Sequence, residues 1–288
     1  MSNTLFVGKV YHRFDELPST NDWAAKLVAF TPPSPLEGGA AKTKPPEGTV
    51  VRAANQTAGR GQLGSKWHSS AGKNLLLSII FYPTWLEVQA QFYLSMSVAL
   101  GINDLLTTII NQQSSIINRQ SSILPALART AEEGPNHPSI KWPNDLYLND
   151  KKTAGILIQN AISGASLQSS IVGIGLNVNQ LEFPEDLPNA TSLALASGQK
   201  LDLDLVAERL FECLERRYLQ LKAGNRAAIK AEYEEHLWRC GKAGRFVRTV
   251  DGSEFEGIIL GVSERGMLRM ETVTGVEEFE VKTLRFLV

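Results

Sequence analysis

Three strand-like runs, IKWPNDLYL, TAGILIQNA and SIVGIGLNVN, follow one another between residues 140 and 179 with very little chain between them. The first link is NDKK, of hairpin length, and the second, ISGASLQSS, is short and polar. Two neighbouring parallel strands need a crossover of a dozen or more residues, so such links force antiparallel pairing. Helix-like sequence lies on both sides. The pattern therefore predicts an α+β domain on a mixed, mainly antiparallel sheet and excludes a doubly wound Rossmann arrangement.

Upstream, a short strand-like start over residues 5–14 leads into LPSTNDWAAKLVAF. Ser19, Thr20 or Asn21 can cap a helix carrying Trp23, Leu27, Val28 and Phe30. TPPSPLEGGAAKTKPPEG reads as a loop and GTVVRAANQ as a strand. NLLLSIIFY is a continuous apolar run of strand length, as expected of a strand covered on both faces. Residues 92–110 read as a buried helix. From about 111 to 137 that pattern dissolves, QSSI recurs at Gln113 and Gln120, and the composition predicts a surface insertion. Val206, Leu210, Cys213 and Leu214 mark a further helix with Asp204 as its expected cap, and residues 226–239 another. After Gly241 the chain changes to short β-rich runs punctuated by Asp-Gly, Arg-Gly and Thr-Gly, the pattern of a small barrel. Two domains follow, residues 1–240 and 241–288.

The chain has 29 basic and 30 acidic side chains, a net charge of -1, so an anion site must be a local cluster. Such a cluster exists: residues 48–86 contain no acidic side chain and include GRGQLGSKW. Gly59, Gly61 and Gly64 allow close backbone approach to a ligand, and Arg60 offers a permanently charged fork. Arg52, Lys66 and Lys73 add positive potential. The spacing matches G-x-G-x-x-G, but a polar link into a strand follows where a dinucleotide site needs a helix, and the Walker Gly-Lys-Ser/Thr is absent. In KWPNDLYLNDKKTAG, Pro143 breaks a ladder and presents Asn144 and Asp145 at a kink, where the carboxylate can hold Mg²⁺ and Lys141 can meet phosphate. The same residues also suit an ordinary turn, and Lys151 and Lys152 a solvated one. Asn177 and Asn179 in GIGLNVN are expected on one strand face. Cys213 and Cys240 lack metal or disulfide spacing and read as free thiols. No signal-like N-terminus and no run of eighteen apolar residues is present, which predicts a cytoplasmic protein without a membrane partner.

Taken in order, Ser19-Thr20-Asn21, Gln56 with GRGQLGSKWHSSAGKNLLLS, KWPND joined to K-x-x-GIL, GIGLNVN and a β-rich C-terminal module resemble the biotin protein ligase family. The resemblance covers the chain from about residue 10, outside the proline-rich loop and the serine-rich insertion. It implies a class II aminoacyl-tRNA-synthetase-like catalytic domain with an SH3-like barrel. It also implies a two-step reaction in which biotin and ATP form biotinyl-5'-adenylate, and a lysine of biotin carboxyl carrier protein then takes the biotinyl group. Carried over, Ser19, Thr20, Asn21, Gln56, Gly59, Arg60, Gly61, Gln62, Lys152 and Gly155 would bind biotin, and Trp67, Lys141, Asn144, Asp145 and Asn177 the nucleotide. Lys152 and Arg60 would be catalytic, and Asp145 would hold Mg²⁺. Gln62 and Ser65 stand where the family often has arginine, so Gln62 is expected to hold the adenylate less firmly. The chain enters the catalytic domain almost at once, so no nucleic-acid role is expected; a homodimer is compatible with the family. A lipoate or octanoate ligase or transferase of the same superfamily, and a biotin-binding module without turnover, are the alternative readings.

Overall fold

The seven-residue apolar run and the short links resolve into one sheet in the computed structural model, which describes residues 3–29, 44–120 and 137–287. Its strands are β1 (Tyr11–Leu17), β2 (Val50–Gln56), β3 (Leu75–Phe81), β4 (Pro138–Lys141), β5 (Asp145–Leu148), β6 (Lys151–Ser163) and β7 (Ser166–Leu176), in the order β1-β2-β3-β7-β6-β5-β4. Only β1 and β2 run parallel, and the chain between them carries helix α1 (Thr20–Ala29); every other pair is antiparallel. All seven residues of β3 are buried. Leu75, Leu77, Ile79 and Phe81 pack into the main core with the long helix α2 (Phe92–Gln120), while Ile80 joins Leu17, Ala24, Val51 and Ala53 beneath α1. The period of two thus divides one continuous apolar run between two layers.

Four expectations are corrected. IKWPNDLYL is not one strand but the hairpin β4–β5, turning at residues 142–144 and pairing Lys141 with Asp145. Pro143 has no N–H to continue a ladder, and here the chain reverses rather than bends. Helix α2 does not stop where its apolar pattern ends but continues to Gln120, with Asn111 and Gln112 exposed; residues 121–136 of the expected insertion, like most of the proline-rich loop, lie outside the described residues. Strand β7 ends at Leu176, so Asn177 and Asn179 lie beyond it. Helix α4 (Leu203–Lys222) is capped by Asp202, which accepts from the amides of Asp204 and Leu205. Asp204 instead takes Arg13 and Arg52 at 2.9 and 2.5 Å. Burial opposes its charge, but the hydrogen bonds from the two arginines outweigh that and hold its carboxyl below the ordinary value.

Helix α3 (Leu193–Ser197), capped by Ser192, follows β7, and α5 (Arg226–Glu235) joins α4 on α2. Arg217 of α4 reaches Asp104 of α2 and Glu232 of α5. By length and composition the stretch Val88–Gln112 would pass for a membrane span, yet most of its apolar part is buried in the core of this packing. Strands β8 (Ala243–Arg248), β9 (Glu254–Val262), β10 (Leu268–Thr272), β11 (Gly275–Phe279) and β12 (Leu284–Leu287) form a second, antiparallel sheet in the order β11-β10-β9-β8-β12. The glycines of its Asp-Gly, Arg-Gly and Thr-Gly turns, Gly252, Gly266 and Gly275, all have positive φ, which other residues rarely adopt. The Trp142 indole N–H donates to Gly266 O at 2.9 Å, fastening this sheet to the β4–β5 turn.

The first residues are held by one buried carboxylate: Glu215 accepts from the amides of Leu5, Phe6 and Val7 at 2.6, 2.8 and 2.9 Å. Glu215→Ala would strand these donors and is expected to lower unfolding stability by about 3 kcal/mol. Urea denaturation checks this, with a loss below about 1 kcal/mol counting against the clamp.

Candidate active site

Helix α1 begins at the centre of the sheet, and its first turn is the polar end of a cavity. Ser19 Oγ accepts from Asp22 N at 3.3 Å, as expected of a cap. Thr20 donates through N and Oγ1 to Gln56 Oε1 at 2.7 and 3.1 Å. Asn21 Nδ2 donates to Leu157 O and Gln159 Oε1, both at 3.2 Å. Ser78 Oγ lies 2.8 Å from Thr20 Oγ1 and 2.6 Å from Asn21 Oδ1. Ser19, Thr20 and Asn21 are all buried. They can lie this close to the sheet because a Cβ on Gly173 would sit 2.9 Å from Asn21 Cγ.

The glycine loop is a small hairpin. Trp67 N donates to Gly59 O at 3.1 Å and Gly61 N to Ser65 O at 2.7 Å, with one 3₁₀ turn over Gln62–Gly64 at the tip. Its glycines shape the hairpin itself. A Cβ on Gly59 would meet Trp67 O at 2.7 Å, one on Gly61 would collide with Ser65 Oγ, and only Gly64 has a positive φ. Arg60 reaches back from the loop to Asp22 at 3.1 Å. Beyond the loop, the Trp67 indole lies flat against the sheet where Gly155 and Gly175 carry no side chain; a Cβ at either would approach the ring to 2.9 Å or closer.

At the opposite end Lys152 Nζ is 2.7 Å from Asp145 Oδ1 and 5.6 Å from the centre of the Trp67 ring. Asn144 is held twice by Ile156, donating Nδ2 to its carbonyl at 2.8 Å and accepting its amide at 2.9 Å. These groups enclose a cavity of about 200 Å³. It brings together Ser19, Thr20, Asn21, Gln56, Arg60, Gly61, Gln62, Trp67, Asn144, Asp145, Lys152 and Gly155. Gly59 borders an adjoining space on the loop side.

A family model described as the biotin/lipoate A/B protein ligase family matches residues 27–177, and the bifunctional ligase/repressor BirA of Bacillus subtilis (strain 168) is 33% identical over 273 residues, 93% of this chain and 71% of that protein. The chain belongs to the biotin/lipoate A/B protein ligase family. The biotin–[acetyl-CoA-carboxylase] ligase of Mycobacterium tuberculosis (strain ATCC 25618 / H37Rv) is 30% identical over 226 residues, 78% of this chain and 74% of that protein. The bifunctional ligase/repressor BirA of Bacillus spizizenii is 33% identical over 241 residues, 83% of this chain and 66% of that protein, so the chain spans about two thirds to three quarters of the length of these three curated relatives. Among solved structures, the biotin protein ligase of Aquifex aeolicus in complex with biotin and ATP superposes with a TM-score of 0.65 at 25% identity, covering 97% of this chain and 100% of that one.

Besides Gly59, two residues expected at the site of this ligase-family chain, Lys141 and Asn177, lie outside the cavity. Lys141 donates to Tyr147 Oη at 3.0 Å and sits 5.0 to 5.4 Å from the ring centres of Tyr147, Trp238 and Phe286. Burial there lowers its pKa, with Asp145 opposing the shift. Asn177 is buried behind the sheet and donates Nδ2 to Thr191 O at 3.0 Å. Conversely, Ser78, Gly173, Gly175 and Asp22 belong to the site and its loop without having been singled out. A lone serine in an apolar run and two glycines spaced by two in GIGLN were the available signals. Gly173→Ala is expected to displace the Asn21 amide and raise KM for the acid substrate about ten-fold, with little change in KM for ATP, the loss of roughly one hydrogen bond. Steady-state kinetics on both substrates check this; equal rises in the two KM values would count against it.

Proposed function

We propose that this chain is an ATP-dependent ligase that joins biotin to a lysine of biotin carboxyl carrier protein through biotinyl-5'-adenylate. The observation that carries the reading is the two-ended cavity. One end offers the amides and hydroxyls of Thr20, Asn21 and Gln56, suited to a neutral group that both donates and accepts hydrogen bonds, such as the ureido head of biotin. The other offers Lys152, and Arg60 lines the cavity from the glycine loop; both cations suit a carboxylate and the phosphate it meets. Family membership and the naming of the relatives support it.

In the first step a biotin carboxylate oxygen attacks the α-phosphorus of ATP, and the bond from that phosphorus to pyrophosphate breaks. Two anions approach each other, so Lys152 and Arg60 offset their repulsion and the charge on the transferring group. In the second, the amine of the carrier lysine attacks the acyl carbon, the carbon–oxygen bond to AMP breaks, and the nitrogen loses its proton as the amide forms. Trp67 offers a flat surface for a base. Asp145 is the one carboxylate lining the cavity among the described residues, and these hold no cluster of three metal-binding side chains. Asp145 would hold Mg²⁺, which would neutralise phosphate charge.

Lys152→Ala is expected to lower pyrophosphate release on mixing with biotin and ATP by about 100-fold or more while leaving the circular dichroism spectrum unchanged. Normal release would overturn the role given to Lys152, and release with lipoate rather than biotin would overturn the choice of acid. Gln62→Arg adds a charge at the loop tip and is expected to slow adenylate release about ten-fold, the worth of a charge-assisted hydrogen bond. Trapping released adenylate with hydroxylamine measures this, and an equal or faster rate would count against it.

A further inference from the structure

The loop tip bears on the cavity, yet its backbone hydrogen bonds are internal: Gly61 to Ser65, Ser65 to Gln62 and Trp67 to Gly59. Among the described residues, the ion pair between Arg60 Nη2 and Asp22 Oδ2 is the polar contact that ties this tip to the body of the domain. Its two halves differ in rigidity. Asp22 stands in the first turn of α1, its amide bound to the Ser19 cap and its carboxylate near the positive end of the helix. Arg60 stands on a hairpin whose shape does not by itself fix where the guanidinium goes.

We infer that Asp22 is a positioning residue for the adenylate: it holds the Arg60 guanidinium at the cavity and so keeps the glycine loop closed over the bound intermediate. The inference rests on the proposed role of Arg60 as a ligand for the acid or phosphate. A guanidinium has five N–H donors in a rigid fork, so one Nη can stay on Asp22 while the others face a ligand anion. The neighbours of Asp22 give the contact its direction. Thr20 and Asn21, two and one residues before it on the same helical turn, line the cavity, so one rigid turn both receives the substrate and anchors the lid. Another cation of the site is arranged alike, Lys152 resting on Asp145.

The side chains of the pair are 56% and 34% exposed, so its effect is that of a surface ion pair. The test is the rate at which preformed biotinyl-5'-adenylate leaves the full-length protein, chased with excess unlabelled adenylate, for wild type, Asp22→Asn, Asp22→Glu, Arg60→Gln and the double variant Asp22→Asn/Arg60→Gln. Release is expected about two- to five-fold faster from Asp22→Asn and near wild type from Asp22→Glu. Arg60→Gln and the double variant are expected to release equally fast, because Asp22 acts through Arg60. The Asp22→Asn effect is also expected to shrink at high salt, as an exposed ion pair does. Release from Asp22→Asn at or below the wild-type rate overturns the latch, as does a double variant whose rate multiplies the two single effects. If Arg60→Gln releases at the wild-type rate, the role of Arg60 and the latch fall together. A fast Arg60→Gln with an unchanged Asp22→Asn removes the latch alone.

Discussion

One face of the central sheet lacks side chains at Gly155, Gly173 and Gly175, and the site exists because of that gap. A β-sheet ordinarily carries a side chain at every second position on each face, which leaves no room for a ligand against the backbone. Here Asn21 settles over Gly173, and the Trp67 indole over Gly155 and Gly175, at distances a Cβ would forbid. The helix turn at the polar end of the cavity and the hairpin with the cationic loop are both positioned by this bare surface. Glycine costs stability in a strand. That cost is offset by pairing β6 and β7 along nearly their whole length, with the buried β3 on the far side of β7.

The cationic end is built by cross-strand register. Asp145 faces Gly155 across β5 and β6, with Lys152 three residues before that glycine, so the hairpin that carries Asn144 and Asp145 also meets the lysine. The hairpin is fixed from outside by the second sheet, whose Gly266 carbonyl takes the Trp142 indole N–H, while Glu264 nearby takes the hydroxyl of Tyr93 on α2 at 2.5 Å. Burial is the first cause raising the Tyr93 pKa to about 12, so it remains a donor at neutral pH. The small barrel is thus part of what places the β4–β5 turn at the cavity. Its own core, with Phe246, Ile259, Leu268 and Met270, is continuous with that of the larger sheet.

Much of this was legible in the residues themselves. The apolar run at Leu75–Phe81 could only be a covered strand, and the short links after it could only join antiparallel neighbours. The order of the Ser-Thr-Asn turn, the glycine loop, KWPND and K-x-x-GIL marked most of the site. What misled was local ambiguity. A proline inside an apolar run is compatible with a kinked strand or with a reversal, and the choice decided the surroundings of Lys141: the β4–β5 hairpin sets it beside Tyr147. Asp202 and Asp204 are both good caps by type. Asp204 is drawn off by Arg13 and Arg52, which β1 and β2 bring from elsewhere in the chain.

Periodicity, glycine and proline placement and link length, all properties of neighbouring residues, determined the sheet, its mainly antiparallel order, the small β module and the chemistry of the loop. Tertiary structure alone decided which polar residues face one another: Asp22 with Arg60, Lys152 with Asp145, Ser78 with Thr20 and Asn21. Such partners are set by strand register and by how a helix and a loop cross the sheet, and neither leaves a signal in the local pattern of one chain.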